Sequence, residues 1–261
     1  MNRRYRQTAL LLVMTGVMMC VSCDRPETRQ YYQLTIYRFD TADQEERLDR
    51  YLSAAYLPAL HREGIGPVGV FKPRMESADL QHTLVVLIPY SSLSGFESLP
   101  GTLENDAAYL EAAGEFLDAP HDTPPYSRVE NILLRAFEST PELKVPAYGT
   151  PGKDRVYELR SYQSPTEELY RRKVEMFNEG EVELFERLGF NPVFFGEVIF
   201  SGHMPHLMYM TTFADTASRA EHWNAFRMHP DWESMKNMSR YQHTVSHIDS
   251  YLLYPTGYSD Y

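Results

Sequence analysis

Cysteine is nearly absent from this 261-residue chain: there are two, Cys20 and Cys23, both near the start. If Cys20 leaves with a leader and Cys23 carries a lipid, the folded part has no thiol. That excludes disulfide staples, a cysteine nucleophile and cysteine metal ligands. Cations are also short, with 25 Lys and Arg against 36 Asp and Glu, a net charge of −11. The imbalance disfavours nucleic-acid binding, which needs Lys and Arg against phosphates, and adsorption to an anionic membrane surface. No HExxH, calcium loop, P-loop, GxGxxG, nucleophile elbow or CxxCH is present. The stretches HMPH (203–206) and HTVSH (243–247) give weak metal spacings: if 243–247 is strand, His243 and His247 share a face but sit too far apart to chelate easily. No metal and no cofactor are expected.

What the chain does have is ring mass. Hydrophobic residues make up 43%, including 19 Tyr and 13 Phe, enough for a sizeable core. The length suits one large domain or two small ones. Arg3, Arg4 and Arg6 precede the apolar run TALLLVMTGVMM (8–19), which is too short for an ordinary membrane span. The pattern is a secretory signal over 1–22. Val21-Ser22-Cys23 resembles a bacterial lipobox, although Cys20 stands where leucine is usual. The resemblance implies cleavage after Ser22, a lipid on Cys23 and a membrane-anchored protein of the bacterial envelope. A secreted protein with a coincidental cysteine is the alternative. Residues 23–30 then form a flexible polar tether.

The strongest signal is an internal repeat. YYQLTIYRF (31–39) and RVYELRSYQ (155–163) are strand-like, with apolar residues at alternate positions. Each leads into a long helical pattern that ends at a glycine. Gly64, Pro67 and Val68 match Gly189, Pro192 and Val193 at a constant offset of 125 residues. HTLVVLIPY (82–90) matches HLMYMTTF (206–213), and RVENILLRAF (128–137) matches VSHIDSYLL (245–253). Both units read strand, helix, strand, strand, helix, strand, the ferredoxin-like order. The fold class is therefore α+β: two tandem ferredoxin-like repeats, 31–137 and 155–261, joined by a Pro- and Gly-rich linker at 138–154. Two such sheets can cover each other face to face.

RVYELRSY (155–162), ERLGFNPVFFGEV (186–198) and the W…HPDW element (223–232) resemble the NIPSNAP family. The resemblance implies the dimeric α–β barrel fold, closed within one chain. It implies little about activity. Related barrels include monooxygenases and haem-degrading enzymes, while others only bind ligands.

Alternation sorts the first strand of the second unit into Tyr157, Leu159 and Ser161 against Glu158, Arg160 and Tyr162. The apolar set is expected to face the helices, and the polar set the space between the sheets. The last strand adds His247, Asp249 and Tyr251, with Glu130 aligned to Asp249; Tyr209 and Glu197 lie on strands that can contribute. The candidate site is this polar cavity, where Arg160 suits a carboxylate or phosphate and His247 a proton shuttle. An internal ion-pair network without substrate explains the same residues equally well.

Glu181 falls on the apolar stripe of the long helix, whose start SPTE (164–167) predicts a cap at Ser164. It reads as a proton donor or acceptor, or as a stripe-edge residue reaching solvent or a neighbouring Arg. Trp223 and Trp232, in EHWNAFRMHPDWESMK (221–236), are expected to pack, with His222, Arg227 and His229 at a pocket rim. Asp40-Thr41-Ala42 and Asp215-Thr216-Ala217 resemble a bacterial O-glycosylation pattern, and Asp215 or Thr216 can instead simply cap the next helix. The functional readings are a small-molecule binder, a cofactor-light oxidoreductase or isomerase, or an envelope scaffold. Expected partners are a small ligand, the membrane through Cys23, and a second copy in a homo-oligomer.

Overall fold

A computed structural model describes residues 29–75, 77, 80–148 and 152–261. The expected signal peptide, Cys23 and the tether up to 28 lie outside the described residues. Arg29 and Gln30, at the end of that tether, are docked. Arg29 bonds Glu197 at 2.9 Å, and the Gln30 N–H donates to the Pro141 carbonyl.

The first half runs β1 (Tyr31–Arg38), α1 (Ala42–Tyr51), a π-turn (Leu52–Tyr56), α2 (Leu57–Arg62), β2 (Gly69–Pro73), β3 (Thr83–Tyr90), α3 (Leu93–Leu103), α4 (Ala107–Leu117) and β4 (Arg128–Ala136). The second half runs β5 (Val156–Gln163), α5 (Glu167–Met176), a π-turn (Phe177–Glu181), α6 (Val182–Arg187), β6 (Pro192–Phe200), β7 (His206–Phe213), α7 (Thr216–Met228), α8 (Pro230–Lys236) and β8 (His247–Pro255). β1, α1, the π-turn and α2 begin at 31, 42, 52 and 57. Their counterparts begin at 156, 167, 177 and 182, each 125 residues later.

Local chemistry sets the helix ends. Thr41 and Asp215 cap α1 and α7, accepting from the N–H of Gln44 and Ser218, so both D-T-A stretches sit at helix starts. α5 is capped by Thr166, which accepts from the Leu169 N–H, and not by Ser164. Ser164 is buried and still pairs with the strands, its N–H donating to the Pro205 carbonyl, so the helix starts later than SPTE suggested. α2 and α6 end at left-handed Gly64 (φ 70°) and Gly189 (φ 77°). The N–H groups of Ile65 and Phe190 reach back to the carbonyls of Leu60 and Phe185, closing Schellman turns.

All eight strands form one closed antiparallel barrel in the order β1-β3-β2-β8-β5-β7-β6-β4. Closure removes the sheet edges. The barrel interior is a strand-built apolar cluster that includes Leu34, Val85, Leu134, Tyr157, Leu159 and Met210. A second cluster lies between the first half's strands and helices, and a third, rich in Phe, between those of the second half.

This layering reverses the expected orientation of β5. Tyr157 and Leu159 point into the barrel, while Glu158, Arg160 and Tyr162 point outward to the helices. The expected polar space between the two sheets is instead a packed apolar core. The physical reason is that both faces of β5 are covered. Six of its eight residues are buried, so polarity cannot assign inside and outside.

Candidate functional site

The charged centre of the second half is Glu158, which is fully buried. Arg219 on α7 binds its carboxylate bidentately, with both bonds at 2.7 Å. Arg160 (2.6 Å), the Trp223 indole N–H (2.6 Å) and Ser250 (2.8 Å) complete the shell. Burial pushes the carboxyl pKa up. The Arg219 hydrogen bonds, the Arg160 and Arg219 charges and the Trp223 N–H outweigh burial and hold it below the usual value. Arg160 is flanked by rings, 4.8 Å from Trp223 and 5.4 Å from Tyr162. Trp223 is thus both core and polar anchor. It packs edge-on against Phe185 and Phe190 while its N–H fixes Glu158.

Below this cluster lies a second buried pair. Lys173 on α5 donates to Glu181 at 2.6 Å, and both side chains are almost fully enclosed. In a regular α-helix, residues eight apart lie about 80° out of phase. The π-turn inserts one residue, shown by the Val182 N–H reaching the Phe177 carbonyl, and reduces the offset to about 20°. Glu181 is therefore buried against a lysine, not at a solvent-facing stripe edge or beside an arginine. Phe177 (4.5 Å), Tyr162 (5.5 Å) and Trp232 (5.7 Å) surround the Lys173 ammonium.

Both clusters face one cavity of about 560 Å³ between β5, β8 and the helices α5, α7 and α8. Its walls include Tyr162, Met176, Trp223, Phe226, Trp232, Tyr241, Val245 and Ile248. Its cations are Arg160, Lys173, Arg219, Arg227 and Lys236, against one lining carboxylate, Glu181. Glu181 is already paired, as is Glu158 behind the wall. Arg227 stands at the exposed rim with no ion pair among the described residues.

The sequence-predicted residues do not converge. Arg160, Tyr162 and Glu181 line the cavity, with Glu158 behind them. His247 and Asp249 lie on the other face of the sheet, toward the barrel end, in the phase of Tyr251 and Leu253. They touch, His247 Nε2 lying 2.9 Å from Asp249 Oδ1, with His247 exposed and Asp249 half-buried. Glu130 shares the inner phase with Ile132 and Leu134, so it too is separated from Arg160. Tyr209 faces the helices and bonds Tyr162 at 2.9 Å, while Glu197 is held by Arg29 and Arg135. His222 packs against Phe190 and Phe213, with Nδ1 2.6 Å from the Ser218 carbonyl, and does not reach the rim. His229 caps α8.

Lys173, Arg219 and Lys236 were not foreseen. Lys173 carried the same signal as Glu181: it lies three after Tyr170 and four before Phe177, on the buried stripe. Among the described residues, no cluster of three or more His, Cys, Asp or Glu is placed to hold a metal.

In the first half the matching space is filled by rings. Tyr51 stacks on Phe116 at 3.8 Å and bonds Tyr109 at 3.0 Å, with Tyr56 alongside. Leu48 and Tyr56 occupy the places of Lys173 and Glu181.

Solved structures share this fold. A candidate monooxygenase from Lactobacillus acidophilus NCFM aligns with a TM-score of 0.57 at 8% identity, over 87% of this chain and 94% of its own. One from Fusobacterium nucleatum subsp. nucleatum ATCC 25586 gives 0.55 at 7%, over 87% and 93%. An anthrone oxidase-like protein gives 0.50 at 10%, over 87% and 92%. At these identities the likeness is one of fold. No curated protein matches the chain. Residues 157–260, the half that holds the cavity, match the NIPSNAP family.

Proposed function

We propose that the protein binds a small organic anion with an aromatic or alkyl body in the cavity of its second half. The observation that carries this is the cavity's composition: five cations and a ring-lined wall in a chain of net charge −11. Glu181 takes up the charge of Lys173, Glu233 that of Lys236 and Glu158 one of the two charges of Arg160 and Arg219, so the surplus open to a ligand is that of Arg227 and of the Arg160–Arg219 pair. Arg227 would meet the anion at the rim, and Trp223, Trp232 and Phe226 would cover the body. The test is calorimetry with indole-3-acetate, phenylpyruvate and octanoate against their methyl esters. The acids should bind, the esters should not, and Arg227→Ala should weaken the acids about tenfold. Equal binding of acids and esters would remove the anion from the proposal.

A second reading, oxidation of the bound anion without a resident cofactor, is favoured by the fold shared with the two candidate monooxygenases. Oxygen uptake with the same acids tests it. We also infer that each half is a ferredoxin-like unit and the chain an internal pseudo-dimer. The 125-residue offset and the strand orders β4-β1-β3-β2 and β8-β5-β7-β6 support this. A lipid on Cys23 would place the cavity at the envelope membrane, and Cys23→Ala should move the protein to the soluble fraction.

A further inference from the structure

The cavity floor carries a group that anion binding does not need. The chain has five lysines, Lys72, Lys144, Lys153, Lys173 and Lys236, and of these Lys173 alone is buried. The fold does not require a charge there, since Leu48 fills the equivalent position of the first half. Burying an ammonium is costly unless it is compensated, and here the one charged partner is a carboxylate 2.6 Å away, with the Met176 sulfur at 3.5 Å and three rings around it. An enclosed amine beside a proton carrier, at the floor of a ligand-sized cavity, is the arrangement of a nucleophile.

We propose that Lys173 forms an imine with the carbonyl group of an amphipathic oxo acid, with Glu181 moving the protons. This rests on the anion-binding reading, because the carboxylate must be held by the rim cations while the carbonyl reaches the floor. Glu181 takes a proton from the Lys173 ammonium. The free amine adds to the carbonyl carbon, and the proton it then carries in excess passes to the carbonyl oxygen, which gives a carbinolamine. The protonated Glu181 then donates to the hydroxyl, which leaves as water as the C=N bond forms. Charge balances throughout, from ammonium plus carboxylate to iminium plus carboxylate. No oxidant or cofactor enters. The rings at 4.5–5.7 Å from Lys173 shield the iminium from hydrolysis and stabilise its charge.

The test is reductive trapping on the full chain. Protein is incubated with phenylpyruvate or 2-oxooctanoate, with and without borohydride, and digested for peptide mass mapping. Binding is measured in parallel by calorimetry. The expected result is a borohydride-dependent mass gain, equal to the probe less one oxygen, on the peptide holding Lys173. Competition by a non-carbonyl acid such as octanoate should suppress it. The variant Lys173→Met/Glu181→Leu, which leaves no unpaired buried charge, should keep the fold by circular dichroism and lose the adduct. Binding without an adduct at Lys173, or adducts spread over the surface lysines, overturns the imine and leaves anion binding standing. Absence of binding by every acid overturns both.

Discussion

Lys173 Nζ lies 2.6 Å from Glu181 Oε2 although eight residues separate them along one helical run. The π-turn at Phe177–Glu181 creates that contact. Removing one partner should cost far more than removing both. Lys173→Met leaves a buried carboxylate without its counter-charge, and about 3–5 kcal/mol of stability should be lost. Lys173→Met/Glu181→Leu should recover most of this, because an apolar replacement needs no compensation. Urea unfolding measures both. Equal losses would show that the pair is not compensating.

Trp223→Phe should separate packing from hydrogen bonding. The phenyl ring can still sit against Phe185 and Phe190, but Glu158 loses its 2.6 Å indole donor. A hydrogen bond to a charged group is worth about 1.5–3 kcal/mol, so denaturation midpoints should fall accordingly. A loss below about 0.5 kcal/mol would mean that the indole N–H contributes little.

His206 should make the protein acid-sensitive. Its ring is buried, with Nδ1 2.9 Å from Ser161 Oγ and Nε2 2.6 Å from Ser201 Oγ. Burial first, and the nearby His203 second, lower its pKa from 6.5 to about 4, against a smaller upward pull from Asp249. Between these values the unfolded chain takes up a proton that native His206 refuses. Its contribution is therefore full above 6.5, declines as pH falls, and is gone below about 4. The total is at most about 3 kcal/mol. His206→Gln should flatten that part of the pH–stability curve, read from melting temperatures between these limits.

The two helix-ending glycines should respond differently. Both have positive φ, so Ala costs about 1 kcal/mol at either position. At Gly64 a Cβ would meet nothing within 4 Å, whereas at Gly189 it would lie 3.2 Å from His222 Nε2. Gly189→Ala should thus lose more than Gly64→Ala in paired thermal melts. Equal losses would mean that His222 yields freely.

Much of the fold was legible because its signals are local and occur twice. Alternation in YYQLTIYR and VYELRSYQ, and the glycine turns at 64 and 189, located the first strand and helix end of each half. The strand HLMYMTTF was found with its bounds. The π-turns were not legible. One extra residue in a helical pattern leaves the apolar stripe nearly continuous, so Glu181 could be placed on the stripe but not against Lys173.

The sequence by itself determined which residues travel together. Glu158, Arg160 and Tyr162 had to share one face, because a strand's period is two. It also determined the shortage of cations and thiols that narrows the chemistry. Only the tertiary structure decided which face those three residues occupy and what meets them. Both sides of β5 are covered, so burial could not break the tie. It was broken by Arg219 and Trp223, about 60 residues further on, the first neutralising Glu158 from α7 and the second donating a hydrogen bond to it. A buried carboxylate goes where its partners are, and the strand that carries it does not specify them.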